Sequence, residues 1–187
     1  MTAPTVSPQT CWQTARLLLR PWQDSDREPF AALNADPEVM RYFPSPLSRA
    51  QSDAMVDRIQ QRMAEQGWGL WAVERQDTSA FIGFVGLARL NPDLPFAPGV
   101  EVGWRLARAH WHQGFATEAA REALRIGFEC LNLPEVVSFT AAINQPSRAV
   151  MERLGMLNRA VEDFDHPAVP EGSPLRRHVL YRVSGPL

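Results

Sequence analysis

The sequence lacks most of the features that would announce a chemistry at once. It has only two cysteines, Cys11 and Cys130, far apart in unrelated contexts. Neither belongs to a metal-spaced pair, and no disulfide framework is implied. Its four histidines, His110, His112, His166 and His178, show no ligand spacing, so no metal is expected. No lysine- or arginine-rich block occurs and the formal net charge is −2, so no global field draws the chain to nucleic acid or to an anionic membrane. No apolar run reaches membrane length. The polar, proline-bearing start, Met1 to Gln13, contains no apolar signal core, which makes the cytoplasm the default location. There is no Gly-x-Ser-x-Gly elbow and no Walker-type lysine, so the common hydrolase and P-loop readings fall away.

What is present is a globular composition. The chain has 187 residues, 45% of them hydrophobic and 21% charged. That is enough for one full core, with little room for a second. A loose tail is expected over residues 1–13 and a single domain over 14–187. Arg16 to Pro21 reads as a short strand stopped by proline. Asp24 to Ala35 reads as a helix capped by Asp24 or Ser25. Ser48 opens a longer helix with a capping box completed by Gln51; Ala54, Met55, Ile59 and Met63 give it an apolar stripe, and Gly67 ends it.

The hydrophobic period then changes to two. Trp68 to Glu74, Phe81 to Leu90 and Val100 to Leu106 read as successive strands. Gly114 to Leu131 is the strongest helix, with Ala116, Ala120, Ala123 and Gly127 forming a narrow stripe that lets backbone pack close to a sheet. Glu135 to Ala142 is a strand rich in Val, Phe and Thr. Gln145 to Leu154 is a short helix ended by Gly155. Met156 to Glu162 and Arg177 to Val183 are expected as a closing pair of strands, separated by a long loop from Asp163 to Pro174. Consecutive strands followed by a β-α-β unit argue for an α/β mixed sheet with helices on both faces.

The most informative segment is His110-Trp111-His112-Gln113-Gly114-Phe115-Ala116-Thr117-Glu118-Ala119-Ala120, which joins a strand to the strongest helix. The loop has small residues at alternate positions, Gly114 and Ala116, and no lysine or arginine. The first amides of a helix have no intrahelical acceptor and the dipole there favours negative charge. The turn therefore suits a phosphate or pyrophosphate held by backbone, although an ordinary helix start packed with small residues reads the same way.

The order of elements together with this loop resembles the GNAT superfamily of acyl-CoA-dependent N-acetyltransferases, and within it the RimJ/RimL-like branch that acetylates N-terminal amines of ribosomal proteins. The likeness runs from about residue 14 to 183. Thr14 to Arg20 resembles the opening strand, and Asp36 to Tyr42 the first helical connection. Glu101-Val102-Gly103-Trp104 resembles the fourth strand, and Trp111 to Ala119 the pyrophosphate loop. Asn144 to Arg148, with Met151 to Met156, resembles the second cofactor motif, and His178 to Tyr181 the last strand. The resemblance implies a mixed, mostly antiparallel sheet splayed between the family's fourth and fifth strands. It implies acetyl-CoA, with coenzyme A as product, as cosubstrate. Two positions depart from the general pattern: Trp111 stands where the superfamily has Gln or Arg, as is common in that branch, and Met151 where many members have a catalytic tyrosine.

Acetyl transfer needs a held thioester, a neutral amine and a proton for the departing thiolate. The backbone of Gln113, Gly114, Phe115, Ala116 and Thr117 is the candidate phosphate cradle, and Val102, Gly103 and Trp104 the candidate backbone partner of the pantetheine arm. Gly103 equally fits a plain bulge. Strand alternation puts Glu101 with Gly103 and Arg105 on one face. Glu101 is the candidate base, the alternative being a sheet-face carboxylate paired with an arginine such as Arg105. Asn144 and Ser147 suit helix capping; the resemblance adds cofactor contacts for both, and Ser147 is placed to protonate the thiolate. Arg148 could meet cofactor phosphates or stay solvated. Tyr42, Phe43 and the loops 91–99 and 163–174 should border the acceptor. The expected acceptor is the N-terminal amine of a protein or peptide, attacked directly in a ternary complex. A small-molecule amine (amino acid, polyamine or antibiotic) and a non-catalytic acyl-CoA-binding module are the alternatives. Monomer and homodimer are both compatible.

Overall fold

The computed structural model describes residues 6–185. Their strands form one sheet, β1 Trp12–Gln13, β2 Leu17–Arg20, β3 Leu70–Arg75, β4 Phe81–Arg89, β5 Val100–Leu106, β6 Glu135–Ala141, β7 Leu157–Asn158, β8 Phe164–Asp165 and β9 Arg177–Ser184. The order is β1-β2-β3-β4-β5-β6-β9-β7, with β8 also on β9. Every neighbouring pair is antiparallel except β5 and β6, which are parallel and share a single register pair, Glu101 with Val137. Past that pair the two strands part. The mixed α/β sheet is thus opened at the place the resemblance implied.

Four helices cover it: α1 Arg27–Ala35, α2 Arg49–Gln66, α3 Phe115–Arg125 and α4 Gln145–Arg153. The long helix α2 is fixed at both ends by local chemistry. Ser48 accepts from the Gln51 amide while Gln51 reaches back to Ser48, and Gly67 closes it at φ 84°. Its buried positions are Ser52, Val56, Ile59 and Met63, so the stripe lies partly off the expected one. Phe30 of α1 is fully buried and packs edge-on against Trp22 and Phe84, at centroid distances of 4.9 and 5.9 Å.

The two faces of β5 have different neighbours. Arg105 reaches Asn34 of α1 and Met55 of α2, so the face carrying Glu101, Gly103 and Arg105 belongs to α1 and α2. Val102 and Leu106 join the core with Ala119, Ala120, Ala123 and Leu124 of α3. The small-residue stripe does bring backbone close. A side chain at Gly127 would already meet Leu87, Leu133 and Val136 at 3.3 to 3.6 Å.

Several boundaries differ from expectation. The tail assigned to 1–13 does not reach its end: Trp12–Gln13 pair with Leu18–Leu19, and Trp12 is buried; residues 1–5 lie outside the described part. Neither Asp24 nor Ser25 caps the first helix. A 3-10 turn, Asp24–Asp26, precedes it, held by Gln23 and Asp26. Asp26 is recruited there because it also receives the buried Arg20 guanidinium in two hydrogen bonds of 2.7 and 2.8 Å, while Glu74 takes the third at 2.7 Å. The strongest helix leaves α geometry at Ile126. Ile126–Cys130 forms a wider π turn in which three consecutive residues, Ile126, Gly127 and Phe128, are all buried. Met156 to Glu162 is not one strand: only Leu157–Asn158 pairs with β9, a 3-10 turn follows, and Phe164–Asp165 pairs with β9 again.

Candidate active site

The loop ahead of α3 is built from both its own residues and distant ones. Trp111 donates its indole N–H to Leu106 O at 2.8 Å, pinning the turn to the end of β5. Gly114 then takes φ +81°, a left-handed conformation that suits glycine. Around a side chain added there, only an Arg16 nitrogen lies within contact distance, at 3.4 Å, so the approach to the helix start is open. No side chain caps α3, whereas α2 and α4 are both capped. The Phe115, Ala116 and Thr117 amides precede the first intrahelical bond, Glu118 N–H to Gly114 O. Unsatisfied amides, helix dipole and an open glycine fit a pyrophosphate. The side chain of Phe115 is buried, with Arg16 and Arg75 over its ring at 4.5 and 5.2 Å, so that residue offers backbone only. Gln113 turns its amide to Ala109 O.

The loop's own residues include no lysine or arginine. The fold adds Arg16, which donates to Gln113 O at 2.9 Å and is locked by Glu118. Glu118 in turn accepts from the Thr14 hydroxyl and the Arg16 amide, so β2 and the first turn of α3 are stapled together. A cavity of about 430 Å³ opens beside this staple, lined by Ala15, Arg16, Arg75, Gln113 and Phe115 among others.

The opening between β5 and β6 lies next to the loop. An added side chain at Gly103 would meet nothing within 4 Å. Val102 O accepts the Ser138 hydroxyl at 2.9 Å across the gap. At Val102 to Trp104 the β6 side of β5 is therefore no longer a complete ladder, as an extended arm adding to that edge requires.

Glu101 stands at the start of the opening on the α1/α2 face. It makes no hydrogen bond and no ion pair with any described residue. The expected alternative, pairing with Arg105, does not occur; Arg105 bonds Asn34 at 2.6 Å instead. Burial pushes the Glu101 carboxyl up to about 7, opposed only by the charge of Arg62 on α2. A carboxylate with that pKa is half ionised near neutrality and can accept a proton and release it again.

On the other face, Asn144 caps α4. Its Oδ1 accepts from the Ser147 amide at 3.3 Å, and its Nδ2 donates to Thr140 Oγ1 at 2.8 Å and to Ser147 Oγ at 3.1 Å. Asn144 is thus largely committed within the protein, where the resemblance implied a cofactor contact. Ser147 keeps its hydroxyl proton free, because its oxygen is the acceptor. Arg148 also points inward, with Nη1 on Ala142 O at 3.0 Å and Nε near Tyr181 Oη at 3.5 Å. Tyr181 is buried and donates to Glu152, and Met151 is buried in the core.

Aromatic groups surround the Glu101 face of the opened sheet, where the acceptor was expected. Phe43 is 37% exposed, with the Arg105 guanidinium over its ring at 4.1 Å, while Tyr42 lies beneath Arg41 at 5.7 Å. Register places Val137 and Phe139 of β6 on the face of Glu101. There Phe139 meets Phe96 and Phe164 at 5.5 and 5.8 Å, and the His166 and His178 rings pack 4.8 Å apart. Burial lowers both imidazoles below their ordinary range.

An uncapped helix start beside an opened strand edge suits a ligand with a pyrophosphate and an extended arm, as acyl-CoA has. The comparisons agree: residues 16–157 match the family model described as an acetyltransferase (GNAT) domain, and the chain belongs to that family. It is 33% identical over 181 residues to the FsC-acetyl coenzyme A-N(2)-transacetylase of Aspergillus fumigatus, covering 90% of this chain and 75% of that protein. An acetyltransferase from Agrobacterium tumefaciens superimposes with a TM-score of 0.74 at 28% identity, covering 93% of this chain and 94% of that one. A RimL ribosomal L7/L12 alpha-N-protein acetyltransferase solved with coenzyme A has a TM-score of 0.74 at 15% identity, over 94% and 98% of the two chains; this likeness is one of fold. The family uses acetyl-CoA. Among the described residues no helix is long and apolar enough to cross a membrane, and no three His, Cys, Asp or Glu side chains gather as a metal site.

Proposed function

We propose that the protein transfers an acetyl group from acetyl-CoA to an α-amine, that of a protein or peptide N-terminus, by direct attack in a ternary complex. The observation that carries this reading is Glu101: a carboxyl without hydrogen-bond or ion-pair partner among the described residues, raised by burial to about 7, at the start of the opening between β5 and β6.

Acetyl-CoA supplies an acyl thioester. The Phe115, Ala116 and Thr117 amides hold its pyrophosphate, and the Val102 to Trp104 backbone aligns the arm that carries the thioester. Glu101 takes the proton that the attacking nitrogen loses as the new C–N bond forms. Ser147, held by Asn144, gives its hydroxyl proton to the sulfur as the C–S bond breaks, and is reprotonated from solvent. Glu101 lies on the α1/α2 face of the sheet and Ser147 on α4, which packs with α3 on the other, so the two proton transfers are assigned to opposite faces.

A small-molecule amine is the second reading, favoured by the 33% identity to a transacetylase whose name specifies an N(2) position. The protein terminus rests on the sequence resemblance to the ribosomal-protein branch and on the exposed aromatic Phe43 beside the opened sheet. Thiol release from acetyl-CoA and the mass shift of the acceptor, measured with peptides and with small amines, test it. Transfer to free peptide N-termini is expected. Release without any acetylated amine, or binding of acetyl-CoA without release, contradicts it.

A further inference from the structure

Among the described residues, Arg20 is buried and Arg105 half-buried on the same face of the sheet, and their surroundings differ. Arg20, 6% exposed, is met by Asp26 in two bonds and by Glu74 in a third. Arg105 has no carboxylate within 4 Å among the described residues. One nitrogen, Nη1, bonds the neutral Asn34 amide at 2.6 Å; another, Nε, is buried with no partner at all. Phe43 and Phe84 cover the guanidinium at 4.1 and 5.6 Å. Burial holds its pKa down at about 10, so the surroundings oppose its charge where those of Arg20 reinforce it. A desolvated cation without a counter-charge is costly, and proteins pair such groups or reserve them for a ligand.

The support is built in. Asn34 is fully buried, and its Nδ2 donates to Ser52 Oγ at 2.9 Å, which leaves Oδ1 aimed at Arg105. An aspartate at this position would neutralise Arg105; the amide orients it and leaves its charge available. Arg105 lies on the face of β5 that carries Glu101, four residues further on, or about 13 Å of strand. One side of α2 overlooks that interval. Met55 touches Arg105, the Arg62 charge acts on Glu101, and Arg58 falls between them at helical spacing. None of Arg58, Arg62 and Arg105 has an acidic partner among the described residues.

We propose that Arg105 anchors the acceptor, and that the acceptor carries a carboxylate close to its reacting amine. The proposal rests on the acetyl-transfer reading of the same site. Two sources supply this chemistry: the α-carboxylate of a free amino acid, and an acidic side chain within the first residues of a peptide. Arg105 binds the carboxylate, Phe43 closes over it, and the amine is left facing Glu101.

Four acceptors test it: serine against serinamide, and a seryl-glutamyl peptide amide against its seryl-glutaminyl counterpart. A charge-assisted bond of this kind is worth about tenfold or more. In at least one pair the carboxylate is expected to be preferred by that factor, expressed in KM, and the pair that shows it identifies the source. Arg105→Gln brings the ratio toward one. So does Asn34→Asp, which keeps the arginine and gives it an internal counter-ion; Arg105→Lys retains part of the preference. Titration of the coenzyme A-loaded protein with the acetylated carboxylate and carboxamide products reads the same preference without turnover. Ratios near one in both pairs by both measurements, or a wild-type ratio retained in both Arg105→Gln and Asn34→Asp, overturn the anchor. A binding preference without any turnover overturns the acetyl-transfer reading and leaves the anchor standing.

Discussion

Asn144 holds Ser147 twice, accepting its backbone amide at 3.3 Å and donating to its hydroxyl oxygen at 3.1 Å. One side chain thus caps α4 and orients the Ser147 hydroxyl, the group proposed above to protonate the thiolate. Ser147→Ala is expected to lower kcat about 100-fold with little change in acetyl-CoA affinity. Asn144→Ala is expected to lose activity similarly and also about 1 kcal/mol of stability, because the cap goes with it. A full-rate Ser147→Ala enzyme would remove Ser147 from proton transfer.

If Glu101 is the base proposed above, its raised pKa links activity to stability with opposite signs. Its folded pKa of about 7 lies above the ordinary value of 4.5, so the folded state binds the proton more tightly. The associated stability is present below about pH 4.5 and is lost as pH rises through 7. Glu101→Gln should therefore be more stable than wild type at pH 8, by up to about 3 kcal/mol, and nearly equal to it at pH 4. The same substitution should abolish the acid limb of the kcat/KM profile near pH 7. An unchanged limb means that Glu101 is not the base; equal thermal shifts at both pH values mean that its carboxyl is not held in the protonated form.

At the loop, Gly114→Asp combines a left-handed φ of +81° with a carboxylate placed where phosphate would sit. Coenzyme A affinity should fall at least tenfold by calorimetry, with the fold retained by circular dichroism. Unchanged affinity in a folded variant would separate this helix start from cofactor binding.

Arg20 and Asp26 give the structural counterpart. Removing Asp26 leaves a buried guanidinium with Glu74 as its one carboxylate partner among the described residues. Asp26→Ala should cost about 3–5 kcal/mol in denaturant unfolding. A cost under 1 kcal/mol would mean that the pair is solvated and that Glu74 suffices.

Much of this was legible because it is local. Ser48, Gln51 and Gly67 mark the ends of α2 by their own chemistry, and β5 falls on its expected residues because its period of two is uninterrupted. What escaped the sequence is what depends on distant partners. Asp26 lies inside the expected first helix turn, and only Arg20 makes it a capping group. Arg16 meets Gln113 across 97 residues of chain. The first closing strand shrinks to Leu157–Asn158, and Phe164–Asp165 from the expected loop pairs as well, both in a register set by β9, which itself falls where expected. At the site, alternation assigned Glu101 and Arg105 to one face correctly. It could not tell that they ignore each other, because Asn34 and Phe43, which hold Arg105, come from other elements.

The account stands on the α3 helix start and the opened β5–β6 edge acting together as a coenzyme A site. Calorimetric titration of the purified protein with acetyl-CoA and, separately, with coenzyme A tests that most directly. The account predicts one site per chain with micromolar affinity for both. Absence of binding to either, in protein shown to be folded, would contradict it and reduce the uncapped helix start and the opened edge to features of packing.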